Sequence, residues 1–198
     1  STARLTMVCL LGAALSMLTA CTGGSGGEGG RTMYDAARKG NLEEVKALLA
    51  SGTPVDTRGY KERTALYIAT YEGHIPVAMA LLDAGADPNA QDDVGKTPLM
   101  WAASKGNIPL LQAMLAKRPP LDTQDKRGYT ALFIATDVGN VEVVRMLVRA
   151  GASTQIRDKK GRTAMDIAQP KGNPLMIEAL QGRGGTTMAP GMPAPTPV

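Results

Sequence analysis

The chain has few of the side chains that most enzymes use for chemistry. Its 198 residues include two cysteines, one histidine, one tryptophan and one phenylalanine, and aromatics make up only 4%. Both cysteines, Cys9 and Cys21, lie near the start, so the rest of the chain has no disulfide framework and no thiolate metal site. One histidine in a turn cannot assemble a nucleophile–base pair of the Ser–His or Cys–His kind. The scarcity of aromatics argues against a large aromatic-rich core. A net charge of +4 is mild, and nucleic-acid binders need a concentrated basic patch, so no nucleic-acid partner is expected. The apolar run from Met7 to Leu18 is shorter than the roughly 20 residues that a spanning helix requires.

That run has the form of a targeting segment instead. Arg4 precedes it, and it ends in Leu18-Thr19-Ala20-Cys21. This ending resembles the lipobox of bacterial lipoproteins, which implies cleavage before Cys21 and lipidation of that residue. Thr22 follows where an Asp would favour inner-membrane retention, so the resemblance implies the periplasmic face of an outer membrane. Residues 1–20 are thus expected to be a lipoprotein signal peptide and 21–30 a lipidated cysteine with a Gly/Ser tether. Such a tether reaches roughly 16 Å as a random coil. The Pro/Gly-rich residues 182–198 lack apolar periodicity and are expected to be a disordered tail.

Between these ends the chain repeats itself every 33 residues. Thr64, Thr97, Thr130 and Thr163 keep that spacing. So do Gly40, Gly73, Gly106, Gly139 and Gly172, and Ala36, Ala69, Ala102, Ala135 and Ala168. Residues 92–124 show the grammar of one unit. Asp92-Asp93-Val94-Gly95-Lys96 reads as a turn. Thr97-Pro98 reads as an N-cap and first turn, and Gly106-Asn107 as the end of that helix. Leu110, Leu111, Met114 and Leu115 form the apolar stripe of a second helix. Helices this short are marginal alone and bury their apolar faces only by stacking.

The segments TALYIATYEGH (64–74), TPLMWAASKGN (97–107) and TALFIATDVGN (130–140) are aligned copies. They resemble the ankyrin repeat, with its 33-residue length and T-P-L-H-x-A signature. The resemblance covers residues 31–181 and implies an all-α solenoid of about five helix-turn-helix units with short hairpin tips. It also implies a non-catalytic protein-binding module, with no cofactor and no metal. Within the family it leaves open a stress-related role, a toxin-neutralising (immunity) role and, more remotely, a structural tether. Arg118 falls where Gly52, Gly85 and Gly151 stand in other units, which predicts strain at that joint. Asp166 replaces the Tyr67, Met100 and Phe133 of other units, marking the last as a C-terminal cap.

Two regular features read as structural. His74 shares its slot with Asn41, Asn107, Asn140 and Asn173, which hydrogen-bond at turns. Asp92, Asp125 and Asp158 recur about one repeat apart, on the order of 10 Å, too far to share a metal. Trp101 and Phe133 are expected to pack between repeats. Partner binding is expected on the hairpin tips and the inner-helix ends. The candidates are Arg58, Tyr60, Lys61, Arg63, Tyr71, Lys96, Lys105, Lys126, Arg127, Tyr129, Arg157, Lys159, Lys160 and Arg162. Residues 155–162 hold four basic groups against Asp158, so an acidic or mixed-charge protein partner is expected to meet a monomeric stack.

Overall fold

The computed structural model describes residues 28–182. The expected lipobox and residues 183–198 of the expected tail lie outside the described residues, while residues 28–30, the last three of the expected tether, belong to the first helix. Ten α-helices form five antiparallel pairs, and no strand occurs among the described residues. The inner helices are α1 (Glu28–Lys39), α3 (Ala65–Glu72), α5 (Pro98–Lys105), α7 (Ala131–Val138) and α9 (Ala164–Lys171). The outer helices are α2 (Leu42–Ala50), α4 (Ile75–Asp83), α6 (Ile108–Ala116), α8 (Val141–Arg149) and α10 (Pro174–Leu180).

The threonines start the inner helices as their spacing predicts. Thr64, Thr97, Thr130 and Thr163 each accept a hydrogen bond from the main-chain N–H three residues on. In α9 the Asp166 carboxylate returns the bond to the Thr163 N–H, completing a capping box. The slot where other units bury an apolar side chain thus becomes a polar helix start, as suits a terminal unit. The slot of His74 divides its labour. Asn41, Asn107 and Asn173 cap the outer helices. His74 and Asn140 make no cap and instead reach back to the preceding unit. His74 Nε2 donates to the Arg38 carbonyl at 3.0 Å, and Asn140 Nδ2 donates to the Ala103 and Ser104 carbonyls. His74 lies so close over Gly40 (φ +72°) that a Cβ there would sit 2.6 Å from the ring.

Stacking buries the apolar stripes in one continuous core that includes Leu66, Leu81, Leu82, Leu99, Leu110, Leu111, Met114, Leu132 and Leu147. Inner helices pack on inner helices along the whole stack, and outer helices mostly do likewise. The exception is the α6–α8 joint, where packing is sparse. An open cavity of 820 Å³ lies there, lined by Leu115, Arg118, Pro119, Pro120, Leu121 and Gly151 among others.

The sequence accounts for this joint. After other outer helices, the N–H groups of Thr53, Ala86 and Ala152 close the helix end on Leu48, Leu81 and Leu147. Pro119 fills that slot and has no N–H. One residue further, the N–H of Asp87 binds the Asp56 carboxylate and that of Ser153 binds Asp122. Pro120 fills that slot and again has no donor. The residue facing it in register is Asn89, not Asp, and its amide donates to the Thr123 hydroxyl instead. Arg118 adopts φ +52°, a left-handed conformation that costs a non-glycine residue about 1–2 kcal/mol. Its side chain is exposed. Replacing Arg118 by Gly is therefore expected to add about 0.5–1 kcal/mol of stability, read as a higher urea midpoint with an unchanged denaturant slope. A lower midpoint would show that Arg118 makes a stabilising contact at the joint.

Candidate partner-binding surface

The hairpin tips are built around buried carboxylates. Asp92 Oδ1 accepts the N–H groups of Val94 and Lys96. Asp125 does the same for Arg127 and Tyr129, and Asp158 for Lys160 and Arg162. These carboxylates are turned inward, which explains their period without acid–base or metal chemistry. Neighbouring tips are also tied main chain to main chain. Asp93, Lys126 and Lys159 donate their N–H groups to the carbonyls of Lys61, Val94 and Arg127. Gly128 permits one such approach, because a Cβ there would lie 2.9 Å from the Asp158 Cα.

A second ladder uses side chains. Gln91 Nε2 donates to the carbonyls of Gly95, in its own tip, and Gln124, in the next. Gln124 repeats the pattern on Gly128 and Arg157, and Arg58 on Glu62 and Gln91. Arg157 binds the Gly161 carbonyl and stands 4.0 Å from Asp166. Arg58 and Arg157, expected as partner contacts, are therefore braces between and within tips. The arginines preceding the threonine caps are braces as well. The Arg63 side chain is only 21% exposed and lies 3.6 Å from Asp92, and the Arg162 guanidinium binds Asp158 at 2.7 Å. Asp92 also accepts the Tyr67 hydroxyl at 2.8 Å, and burial pushes that phenol's pKa up.

The slot before each threonine cap lines the inner-helix starts with a row of cations and rings. The Arg63 guanidinium lies 5.0 Å from the Tyr67 ring centre, and the Lys96 ammonium 4.5 Å from that of Trp101. Tyr129 stacks on Phe133 at 4.4 Å, and the Arg162 guanidinium lies 5.8 Å from the Phe133 ring centre. Tyr71 meets Trp101 edge-on at 4.7 Å, and Lys105 lies 6.0 Å from the Tyr71 ring. Lys96 and Tyr129 are thus half-buried packing partners as well as surface groups. Between Trp101 and Phe133 a pocket of 200 Å³ opens. Lys96, Arg127 and Tyr129 wall it, with Val138 at its rim. Trp101 and Phe133 do pack between repeats as expected, but they also frame this pocket. The sequence signal for it was weak, because the ring moves by one position between adjacent units.

Of the other expected contacts, Tyr60, Lys61, Tyr71, Lys105, Lys126, Arg127, Lys159 and Lys160 are exposed. Tyr60 is the most open of the large apolar side chains at 67% exposed. Its tip lacks the buried carboxylate, and both Lys61 and Glu62 adopt positive φ.

A family model described as "Ankyrin repeats (3 copies)" matches residues 10–92, 33–120, 81–158 and 99–187. The chain belongs to the ankyrin-repeat family. Ankyrin repeats generally mediate protein–protein binding and are typically non-catalytic. No curated protein matches the chain.

Two carboxylates of the last unit, Asp158 and Asp166, carry a pH dependence. Burial opposes ionisation of Asp158, but hydrogen bonds from the Arg162 N–H and guanidinium and the Lys160 N–H outweigh it, so its pKa falls below the ordinary 3.8. The Thr163 N–H and hydroxyl lower Asp166 likewise. A depressed native pKa gives stability that is present above about pH 4 and lost as the pH falls through the native values. Asp158→Asn is expected to melt lower than the parent at neutral pH and to lose less on acidification towards about pH 2. Melting curves across that range check this; parallel pH profiles would remove Asp158 from the acid response.

Proposed function

We propose that this ankyrin stack is a lipid-anchored, non-catalytic protein-binding module of the bacterial envelope, facing the periplasm where the source has two membranes. The anchor reading is supported by Leu18-Thr19-Ala20-Cys21 at the end of an apolar run. A dual-chain lipid anchor holds a domain at a membrane without a spanning helix. The binding reading is carried by one observation. The pocket between Trp101 and Phe133 opens along the inner helices beside exposed Tyr71, Val138 and Arg127. A surface held by two hydrogen-bond ladders is preorganised, so docking costs little conformational entropy. Tyr60 and Tyr71 add aromatic area of the kind that anchors interfaces.

Two measurements test this. A photoreactive residue at position 60 or 138 in intact cells is expected to give a discrete protein adduct by mass spectrometry. Absence of any protein adduct from both positions would refute the binding reading. Separately, an alkyne fatty acid fed to a bacterial host is expected to label the chain. Cys21→Ala should abolish the label and release the protein from the membrane fraction. A label that survives the substitution would refute the anchor.

A further inference from the structure

The tips at 124–129 and 157–162 present charge of one sign. Lys126, Arg127, Lys159 and Lys160 are all exposed, and none forms an ion pair among the described residues. The carboxylates that would neutralise them are occupied. Asp125 and Asp158 are turned inward onto tip N–H groups, and Asp158 also holds Arg162. The Lys159 N–H bonds the Arg127 carbonyl and the Lys126 N–H bonds that of Val94, so the cations stand on adjoining, mutually fixed loops. Asp137, at the pocket, is paired with Lys171, and Asp93 is the exposed carboxylate on the tip before.

Arg127 joins this cationic edge to the pocket, since it lines both. The pocket's 200 Å³ falls below the roughly 300–1,000 Å³ of small-molecule sites and suits a single inserted side chain. Its walls include the rings of Trp101, Tyr129 and Phe133 with Met100 and Ile134, and Val138 at its rim and Val94 on the adjoining tip are exposed at 55% and 42%. A flat anionic surface would answer the cations and leave a recessed aromatic pocket empty. A chain with one protruding apolar group among carboxylates answers both.

Resting on the binding reading above, we propose that the partner presents an acidic peptide segment with one apolar anchor. The anchor enters between Trp101 and Phe133, and the flanking carboxylates meet Lys126, Arg127, Lys159 and Lys160. Charge pairs of this exposed kind act mainly on encounter rate and salt dependence, whereas the buried anchor sets the dissociation rate.

Trp101 is the chain's only tryptophan, so its fluorescence reports this pocket directly. The full chain is titrated with a Glu-rich peptide carrying one central Phe, with the same peptide carrying Ala, and with a Gly/Ser peptide carrying Phe. Saturable change is expected with the first and roughly tenfold weaker binding with each of the others, about 1.4 kcal/mol. Lys159→Glu with Lys160→Glu is expected to weaken the acidic Phe peptide by roughly tenfold and flatten its salt dependence. Val138→Ser, which removes apolar rim without adding charge, should weaken it without changing that salt dependence; circular dichroism confirms that both variants fold. Equal binding of the Phe and Ala peptides would overturn the anchor, and equal binding by the charge-reversed variant would overturn the acidic edge. Phosphatidylglycerol vesicles that change Trp101 emission when the Phe peptide does not would assign the face to a membrane. Failure of all peptides alongside a protein adduct in cells would reject this partner chemistry while leaving the binding module intact.

Discussion

The hydrogen bonds that draw Asp92, Asp125 and Asp158 inward govern much of what this protein shows to solvent. Each carboxylate gathers two main-chain N–H groups of its own tip and so closes a loop that has no strand to support it. Hydrogen bonds to an ionised acceptor are stronger than neutral ones, which lets a short loop hold one conformation. Consuming these carboxylates has an electrostatic consequence: the lysines and Arg127 beside them are left without a counter-charge. The stack's shape and the sign of its exposed edge therefore have one cause.

The first complete tip shows how the fold behaves without that device. Gly59 stands where the others have aspartate, and the ring of Tyr34 packs so closely over it that a Cβ would sit 2.7 Å away. Its neighbours borrow the carboxylate of the next unit: Tyr67 donates to Asp92 and Arg63 lies beside it. Asp92 thus serves two units at once. The joint after α6 is a parallel case. Two prolines delete two main-chain donors, and Asn in place of Asp turns an acceptor that would have gone unused into a donor with a partner of its own. Breaks in the repeat come in matched sets, because a buried or half-buried polar group left unpaired costs about 1–3 kcal/mol.

Legibility in the sequence follows the range of each interaction. Threonine caps and paired helices act within a few residues, so the period reveals them, down to the helix starts. The inward aspartates were legible for the same reason. The bridging ladder of Arg58, Gln91, Gln124 and Arg157 was not. Its bonds join residues 33 apart, and a basic side chain that braces a loop looks in sequence like one offered to a partner. Arg63 and Arg162 share that ambiguity, since both also bind a tip carboxylate. Lys126, Lys159 and Lys160 stay exposed and outside the ladder, because lysine's flexible, strongly hydrated ammonium is poorly suited to such fixed bracing. The pocket has no sequence signature because Trp101 and Phe133 occupy different slots, and only folding brings them to line one pocket across α5 and α7.

That seam has opposite characters on its two sides. Inside, α5 and α7 pack closely beneath the aromatic pocket; outside, α6 and α8 are spread around the Pro119–Pro120 joint. In a stack of this kind each unit contacts only its neighbours, and stability is a sum of unit and neighbour terms. A weak outer contact is therefore not shared out along the solenoid but stays at this one interface. A partner bound across Trp101 and Phe133, as proposed, would add its free energy to the same neighbour term, growing as the logarithm of one plus its concentration over its dissociation constant. The seam loosened by Pro119 and Pro120 is thus the one that a partner bound as proposed would most directly reinforce.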